Sequence, residues 1–459
     1  MSASTSALRR AALGAAVAVL VLVAAFAATA PAATSTATTT STAAATTGAA
    51  TTGSASTSTA AATTTTGATA TTTVKPPQIK APAAILVEPA TGDVVFQRNA
   101  TQRRPIASTT KLMTALVTLE HASLDDVMTT VDYHGAPAES LAGFRGGERV
   151  TVRDLLRALL ITSANDAAAT LAQRVAGSRA KFVAMMNAKA RQLKLTDTHY
   201  DNPIGLDGKA NYSTATDLAK LTLILRRNQF FRETTDLRSV TLKSGAHPRT
   251  FANRNLLVRN VPAVNGVKTG HTNTAGYILV GSASRSGITV ISVVLGDSSE
   301  SARDSDSLNL LKFGLNRYHV VTAVKKGQVV GHAALAHRDE QVDLTAAATV
   351  KRTTRRGDKL VVTVEGAPAT IDGPLPKGAR VGTVVVTQRG KVVARVALIT
   401  ADPVDAATFF DRLRDWLGNP LTLVLLAAFA VCSLYLVLLR RRAVRRRQRR
   451  RAGRGAPVA

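Results

Sequence analysis

The chain is short of three things. Of its 459 residues only one is cysteine, Cys432, so no intrachain disulfide can form. That residue sits inside an apolar run, where a thiol packs as a small hydrophobe. Aromatic residues are 4% of the chain and tryptophan occurs once, at Trp416, so any core must be aliphatic. Acidic residues are outnumbered, 30 against 58 Lys and Arg, which leaves a formal net charge of +28. Such a charge invites a nucleic-acid reading. Its distribution argues for a membrane flank instead. Residues 440–454 hold ten arginines and no acid, directly after an apolar span. No cluster of His, Cys and Asp has metal-ligand spacing, so neither a metal nor another cofactor is expected.

What is present divides by composition. Arg9-Arg10 followed by Ala11–Ala30 reads as a secretory signal, ending near residue 32. Residues 33–73 are Thr, Ala, Ser and Gly alone, which cannot bury a core, so a disordered stalk is expected over 33–78. Residues 79–319 read as α+β. A hairpin (84–88 and 93–97) comes first, then helices near 108–119, 152–160, 167–175, 182–193 and 215–226. Strands follow at 239–242, 277–283 and 289–295, then a helix at 304–314. A polar break, Ile161-Thr-Ser-Ala-Asn-Asp166, separates two of the helices. Residues 320–402 read as a small all-β domain. Residues 405–418 form an amphipathic segment suited to a membrane interface or to packing on that domain. Residues 420–439 are long enough to span a bilayer, and the basic tail 440–459 belongs on its cytoplasmic side, with the folded domains outside.

Three segments carry types suited to acyl transfer. Ser108 stands three residues before Lys111 at the head of a helical run, as an N-cap whose hydroxyl the lysine can reach. A neutral, desolvated lysine can take that proton and make the serine a nucleophile. The spacing alone is weak, since Ser178-Arg-Ala-Lys181 shares it and reads as a helix cap. Ser163 and Asn165 lie in the polar break: Ser163 can relay a proton to a leaving amine, and Asn165 can bind a substrate peptide group. Lys268 opens a strand, and its charge should keep Lys111 neutral and draw in an anion. Thr269 and Thr272 offer hydroxyls to a carboxylate, and Gly270 lets a ligand approach the strand backbone. The backbone N–H groups of Ser108 and His271 can form an oxyanion hole.

Taken together, Ala107-Ser-Thr-Thr-Lys-Leu-Met113, Ser163-Ala-Asn-Asp166, Asn253-Arg-Asn-Leu-Leu257 and Gly266-Val-Lys-Thr-Gly-His-Thr272 resemble the penicillin-recognising serine enzymes. They resemble most the low-molecular-mass D-alanyl-D-alanine carboxypeptidases. The resemblance implies a β-lactamase/transpeptidase-like domain, an antiparallel sheet with helices beside a helical cluster. It implies removal of the terminal D-Ala from the peptidoglycan pentapeptide through an acyl-serine, β-lactams as inhibitors, and Arg254 and Arg303 near the cleft as carboxylate partners. It places alanine at 164 where the family commonly has glycine. A spanning helix stands where the family often has only a surface-lying one. A D,D-endopeptidase and a membrane-tethered, non-enzymatic penicillin sensor are the competing readings. A class A β-lactamase would need a glutamate in the loop 196–208, which has none.

Overall fold

The computed structural model describes residues 75–452. The signal and most of the stalk lie outside them. The centre is a five-stranded antiparallel sheet of β1 (Ala83–Glu88), β2 (Asp93–Arg98), β3 (Val264–Thr272), β4 (Gly276–Arg285) and β5 (Ile288–Asp297), in spatial order β2-β1-β5-β4-β3. Every residue of β1 is buried, because both faces of the sheet are covered. Ala83, Ile85 and Val87 point into one core and Ala84 and Leu86 into the other, the period of two that a strand imposes.

On one face the helices α1 (Lys111–His121), α2 (Val152–Arg157), α3 (Asn165–Ala176), α4 (Arg179–Gln192) and α5 (Ala215–Leu225) fill the larger core. Ser178 caps α4 by accepting the Lys181 N–H, as its position suggests. On the other face lies α6 (Glu300–Arg317), seated through Leu310, Leu311 and Leu315. It begins four residues before the expected start and ends three beyond the expected end. Its first turns bury polar groups: Ser307 bonds Ser292 at 2.8 Å, and Asp306 accepts the Lys80 and Ala81 N–H groups at 2.5 and 2.7 Å. Hydrophobic spacing cannot reveal a face of that kind. The helix expected over 152–160 stops at Arg157 and widens into a π turn over Ala158–Thr162.

Asp297 ends β5 beside Asp306. It is 2% exposed, and neither carboxylate oxygen meets a hydrogen-bond donor among the described residues. Burial, then the charge of Asp306, push its carboxyl up to about 7. The folded protein therefore holds a proton there that the unfolded chain releases near pH 4. Stability should fall by about 1.4 kcal/mol per pH unit as pH rises through that window, levelling off above the folded value. Asp297→Asn should be flat over it; urea titrations from pH 4 to 8 that show parallel curves for both proteins would contradict this.

Residues 318–400 build a second, β-only core. A six-stranded sheet runs in the order Leu360–Glu365, Arg380–Gln388, Lys391–Thr400, Gln341–Ala346, Val329–Leu335, Thr370–Ile371, beside the pair Tyr318–Val324 and Val350–Arg355. The long hairpin turns at Arg389-Gly390, both at positive φ (49° and 74°), the turn that matches strand twist. Arg389 reaches back to Asp93 at 2.7 and 3.1 Å, where the Tyr318 hydroxyl also donates at 2.7 Å. The amphipathic segment is a helix, Phe409–Gly418, begun by a Thr408/Asp411 capping box. Its charged side pairs with the β core, Asp415 with His337 at 2.8 Å and Arg414 with Asp339 at 3.0 Å, while Phe409, Phe410 and Trp416 stay open. A last helix, Pro420–Ala452, is long and apolar enough over its first part to cross a membrane.

Candidate active site

Ser108 sits in a tight 3-10 turn, Ala107–Thr110, that leads into α1. It is not the helix cap that its position suggests. No side chain caps this turn, and the neighbouring Thr109 hydroxyl donates to the Ile106 carbonyl at 2.6 Å. The Ser108 hydroxyl is left for Lys111, whose Nζ lies 3.1 Å away and also donates to the Ile204 carbonyl at 2.5 Å. Lys111 is wholly buried. Burial brings its ammonium down to about 7; Arg254 pushes the same way, and Glu139 and Asp166 oppose it.

The Ile204 carbonyl is held by a short loop in which the Asn202 side chain accepts the N–H groups of Ile204 and Gly205 at 3.1 and 2.6 Å. Gly205 has φ +94°, and a Cβ on it would lie 2.1 Å from the Ala107 carbonyl oxygen. Backbone stands on both sides of that contact, so neither can step aside. Gly205→Ala should therefore displace the serine turn, costing on the order of 3 kcal/mol by overpacking and most of the activity. A melting temperature and turnover equal to the parent's would refute the contact.

Ser163 closes the π turn in the left-handed region, φ 66°, which swings its side chain out of the helix direction. Its hydroxyl accepts from Lys268 Nζ at 2.9 Å, and the same ammonium donates to the Thr269 carbonyl at 2.8 Å. Lys268 stands in the interior of β3, not at its start. Buried among cations, it is held well below the ordinary lysine range, by burial first and then by Lys111, Arg254 and Arg303. Lys111 and Lys268 repel each other, as expected, and Arg254 adds to the effect on both. Gly270 has a nearer neighbour than any ligand. A Cβ there would come within 3.2 Å of the Ile106 carbonyl oxygen and Ser108 N, so the bare Cα is what lets β3 close on the serine turn.

The remaining expected residues are placed as follows. Asn165 is buried at the start of α3, its amide nitrogen donating to Glu139 at 2.7 Å. Thr269 is buried beside Lys268. The Thr272 hydroxyl donates to Asp207 at 2.7 Å, so it is already engaged with a carboxylate of the chain itself. The exposed His271 ring stacks on Tyr277 at 4.0 Å. Arg254 is exposed, anchored by its backbone N–H to the Ile161 carbonyl at 3.1 Å. Arg303 departs from expectation: its guanidinium is occupied by its own helix, with Asp304 at 2.8 Å and Glu300 at 2.9 Å. Those acids stand one residue after and three before it, so the pairing was visible in the chain. Asp166, in the first turn of α3, is not its cap; its carboxylate accepts the Ala142 and Phe144 N–H groups at 3.0 Å each. Glu139, Tyr133, Gly205 and Asp207 escaped the sequence reading; the turn dipeptides Asn202-Pro203 and Asp207-Gly208 were the signal that marked the loop of the last two.

A serine hydroxyl beside a buried lysine, a second serine–lysine pair, and an edge strand closing on the nucleophile's turn define a class, the lysine-assisted serine acyl-transfer enzymes. The comparisons with known proteins are specific. A family model described as D-alanyl-D-alanine carboxypeptidase matches residues 70–299, and one described as the C-terminal domain of penicillin-binding protein 5 matches residues 318–406. The D-alanyl-D-alanine carboxypeptidase DacD of Escherichia coli K12 is 33% identical over 360 residues, 74% of this chain and 91% of that one. DacF of Bacillus subtilis is 29% identical over 349 residues, 74% and 90% of the two chains. Penicillin-binding protein 5 of Haemophilus influenzae superposes with a TM-score of 0.54 at 29% identity, over 72% of this chain and 99% of that one. The Streptomyces K15 DD-transpeptidase gives 0.50 at 35% identity, over 53% of this chain and 100% of that one. The chain belongs to the D-alanyl-D-alanine carboxypeptidase family.

Proposed function

We propose that this protein is a serine-type D-alanyl-D-alanine carboxypeptidase that removes the terminal D-Ala from the peptidoglycan pentapeptide. The observation that carries the reading is the 3.1 Å approach of buried Lys111 to the Ser108 hydroxyl. Ser108 Oγ attacks the carbonyl of the penultimate residue while neutral Lys111 takes its proton. The intermediate collapses, the C–N bond breaks, and the leaving amine of D-Ala receives a proton through Lys111 and Ser163. Water then cleaves the acyl-serine ester. Lys268, Thr269, Gly270 and Thr272, with Arg254 on the rim, receive the terminal carboxylate, for which Thr272 must exchange Asp207. The N–H groups of Ser108 and His271 stabilise the oxyanion. Arg303, tied to Asp304 and Glu300, acts on the groove only through its charge. A β-lactam acylates the same serine. No step calls on a metal or another cofactor.

In this reading residues 79–319 are the catalytic unit and 320–402 a β unit beside it. Residues 405–418 rest on the lipid surface, 420–439 span the cytoplasmic membrane, and 440–459 lie inside, so that the catalytic groove faces the wall. The test incubates the purified protein with a peptide ending in D-Ala-D-Ala and follows free D-alanine, beside labelling by a fluorescent penicillin. Release that Ser108→Ala abolishes supports the reading. Release only from cross-linked dimers would make the protein an endopeptidase. Labelling without release would make it a sensor. The Streptomyces K15 DD-transpeptidase suggests one more arm: an added amine acceptor that takes the acyl group in place of water.

A further inference from the structure

Glu139 belongs to no motif, yet it is bonded to Asn165 and its charge acts on Lys111. Its Oε2 accepts from the Tyr133 hydroxyl at 2.5 Å and from Asn165 Nδ2 at 2.7 Å, and its Oε1 from the Ala136 N–H at 3.1 Å. An ionised carboxylate only accepts hydrogen bonds, so Asn165 must turn its nitrogen toward Glu139. The carbonyl and the second N–H of the amide are then held in one orientation. The loop that carries Glu139 is itself fixed, by the Asn165 N–H on the Ser140 carbonyl at 2.7 Å and by Asp166 on Ala142 and Phe144. Its donors hold Glu139 below the usual carboxylate range against a burial that opposes them, so it is an anion at neutral pH. Glu139 is also the first of two anions acting on Lys111. Asp166 is the other, Arg254 acts against both, and Lys268 is the cation that Lys111 depresses.

We propose that Glu139 is a positioning residue for the reaction: it fixes the Asn165 amide in one orientation toward a substrate peptide group, and its negative charge opposes the loss of the Lys111 proton. The proposal rests on the carboxypeptidase reading given above. A merely structural glutamate would serve one role through the fold and would not move the other.

The test uses the full-length protein and two variants, Glu139→Gln and Glu139→Ala. Acylation by a fluorescent penicillin is measured from pH 5 to 9, and D-alanine release from a peptide ending in D-Ala-D-Ala gives kcat and KM. Glutamine keeps an oxygen for Tyr133 and Asn165 but drops the charge. Its acid limb should move down by about 0.5–1 pH unit, the size of one charge acting across a partly screened distance. Alanine frees the Asn165 amide, so KM should rise roughly ten-fold with kcat changing less, and glutamine should restore most of it. A glutamine variant whose pH limb coincides with the parent's overturns the proposal, as does an alanine variant with parental KM. The glutamine profile decides alone where the alanine variant does not fold. A parent that takes up penicillin but frees no D-alanine overturns the carboxypeptidase reading instead, and the acylation profile still reports on Glu139.

Discussion

Ser108→Ala should take up no fluorescent penicillin and release no D-alanine, at least about 10^4-fold below the parent, the scale on which removing a nucleophile acts. Its melting temperature should stay within about 2 °C of the parent's, because the change deletes one half-buried oxygen and creates no strain. The hydroxyl caps nothing, so no backbone donor loses its partner. Lys111 keeps its bond to the Ile204 carbonyl. No neighbour can take over the attack. Thr109 and Thr110 are buried, Thr109 already donating to Ile106, and Ser163 is held by Lys268. Stopped-flow labelling and calorimetry on the same preparation separate chemistry from folding. Residual labelling within 100-fold of the parent would move the nucleophile elsewhere, and with it the meaning of the Lys111 contact.

The parts of this arrangement that were legible in the chain are those that local periodicity controls. Ser108 and Lys111 meet because i and i+3 share a side on any tight helical turn, 3-10 or α, so the spacing survived even though the cap did not. The central strands were legible as apolar runs, since a sheet covered on both faces asks for little alternation. Ser163 and Asn165 stood out as a polar break between two apolar helices. What the chain concealed depends on contacts distant in sequence. Lys268 looked like the first residue of a strand because a buried lysine imitates an exposed one; only the partners Ser163 and Thr269 make it tolerable at that depth. The polar start of α6 was hidden for the same reason. Gly205 and Gly270 gave no sign of which backbone they admit, and both admit the serine turn. Glu139 carries no spacing rule at all, because its meaning lies in Asn165, which is 26 residues away.

Lys111→Met tests the other half of the pair. Methionine matches the length and suits a site with no exposed surface, so the variant should fold. Acylation should slow by about 10^2–10^4-fold, the usual contribution of a general base. The pH dependence should change with it. In the parent the lysine accepts a proton only when neutral, so the acylation rate should climb as pH rises through about 7; in the variant that limb should disappear. Stability supplies an independent reading. The folded lysine loses its proton near 7 and the unfolded one near 10.4. Between those values the unfolded chain binds the extra proton, so the parent gains stability with rising pH, by about 1.4 kcal/mol per unit. Below the folded value that gain is gone, since a buried ammonium must be kept charged. The variant lacks this slope, and because it also relieves Lys268 of a neighbouring cation it narrows the range over which Lys268 adds a slope of the same sign. Measured against each other from pH 6 to 9, parent and variant should therefore differ in stability by a constant amount below about 7 and by a changing amount above it, where the parent's acylation levels off. A pH limb that persists without Lys111 would assign the base to Lys268 and Ser163, the second pair in the groove.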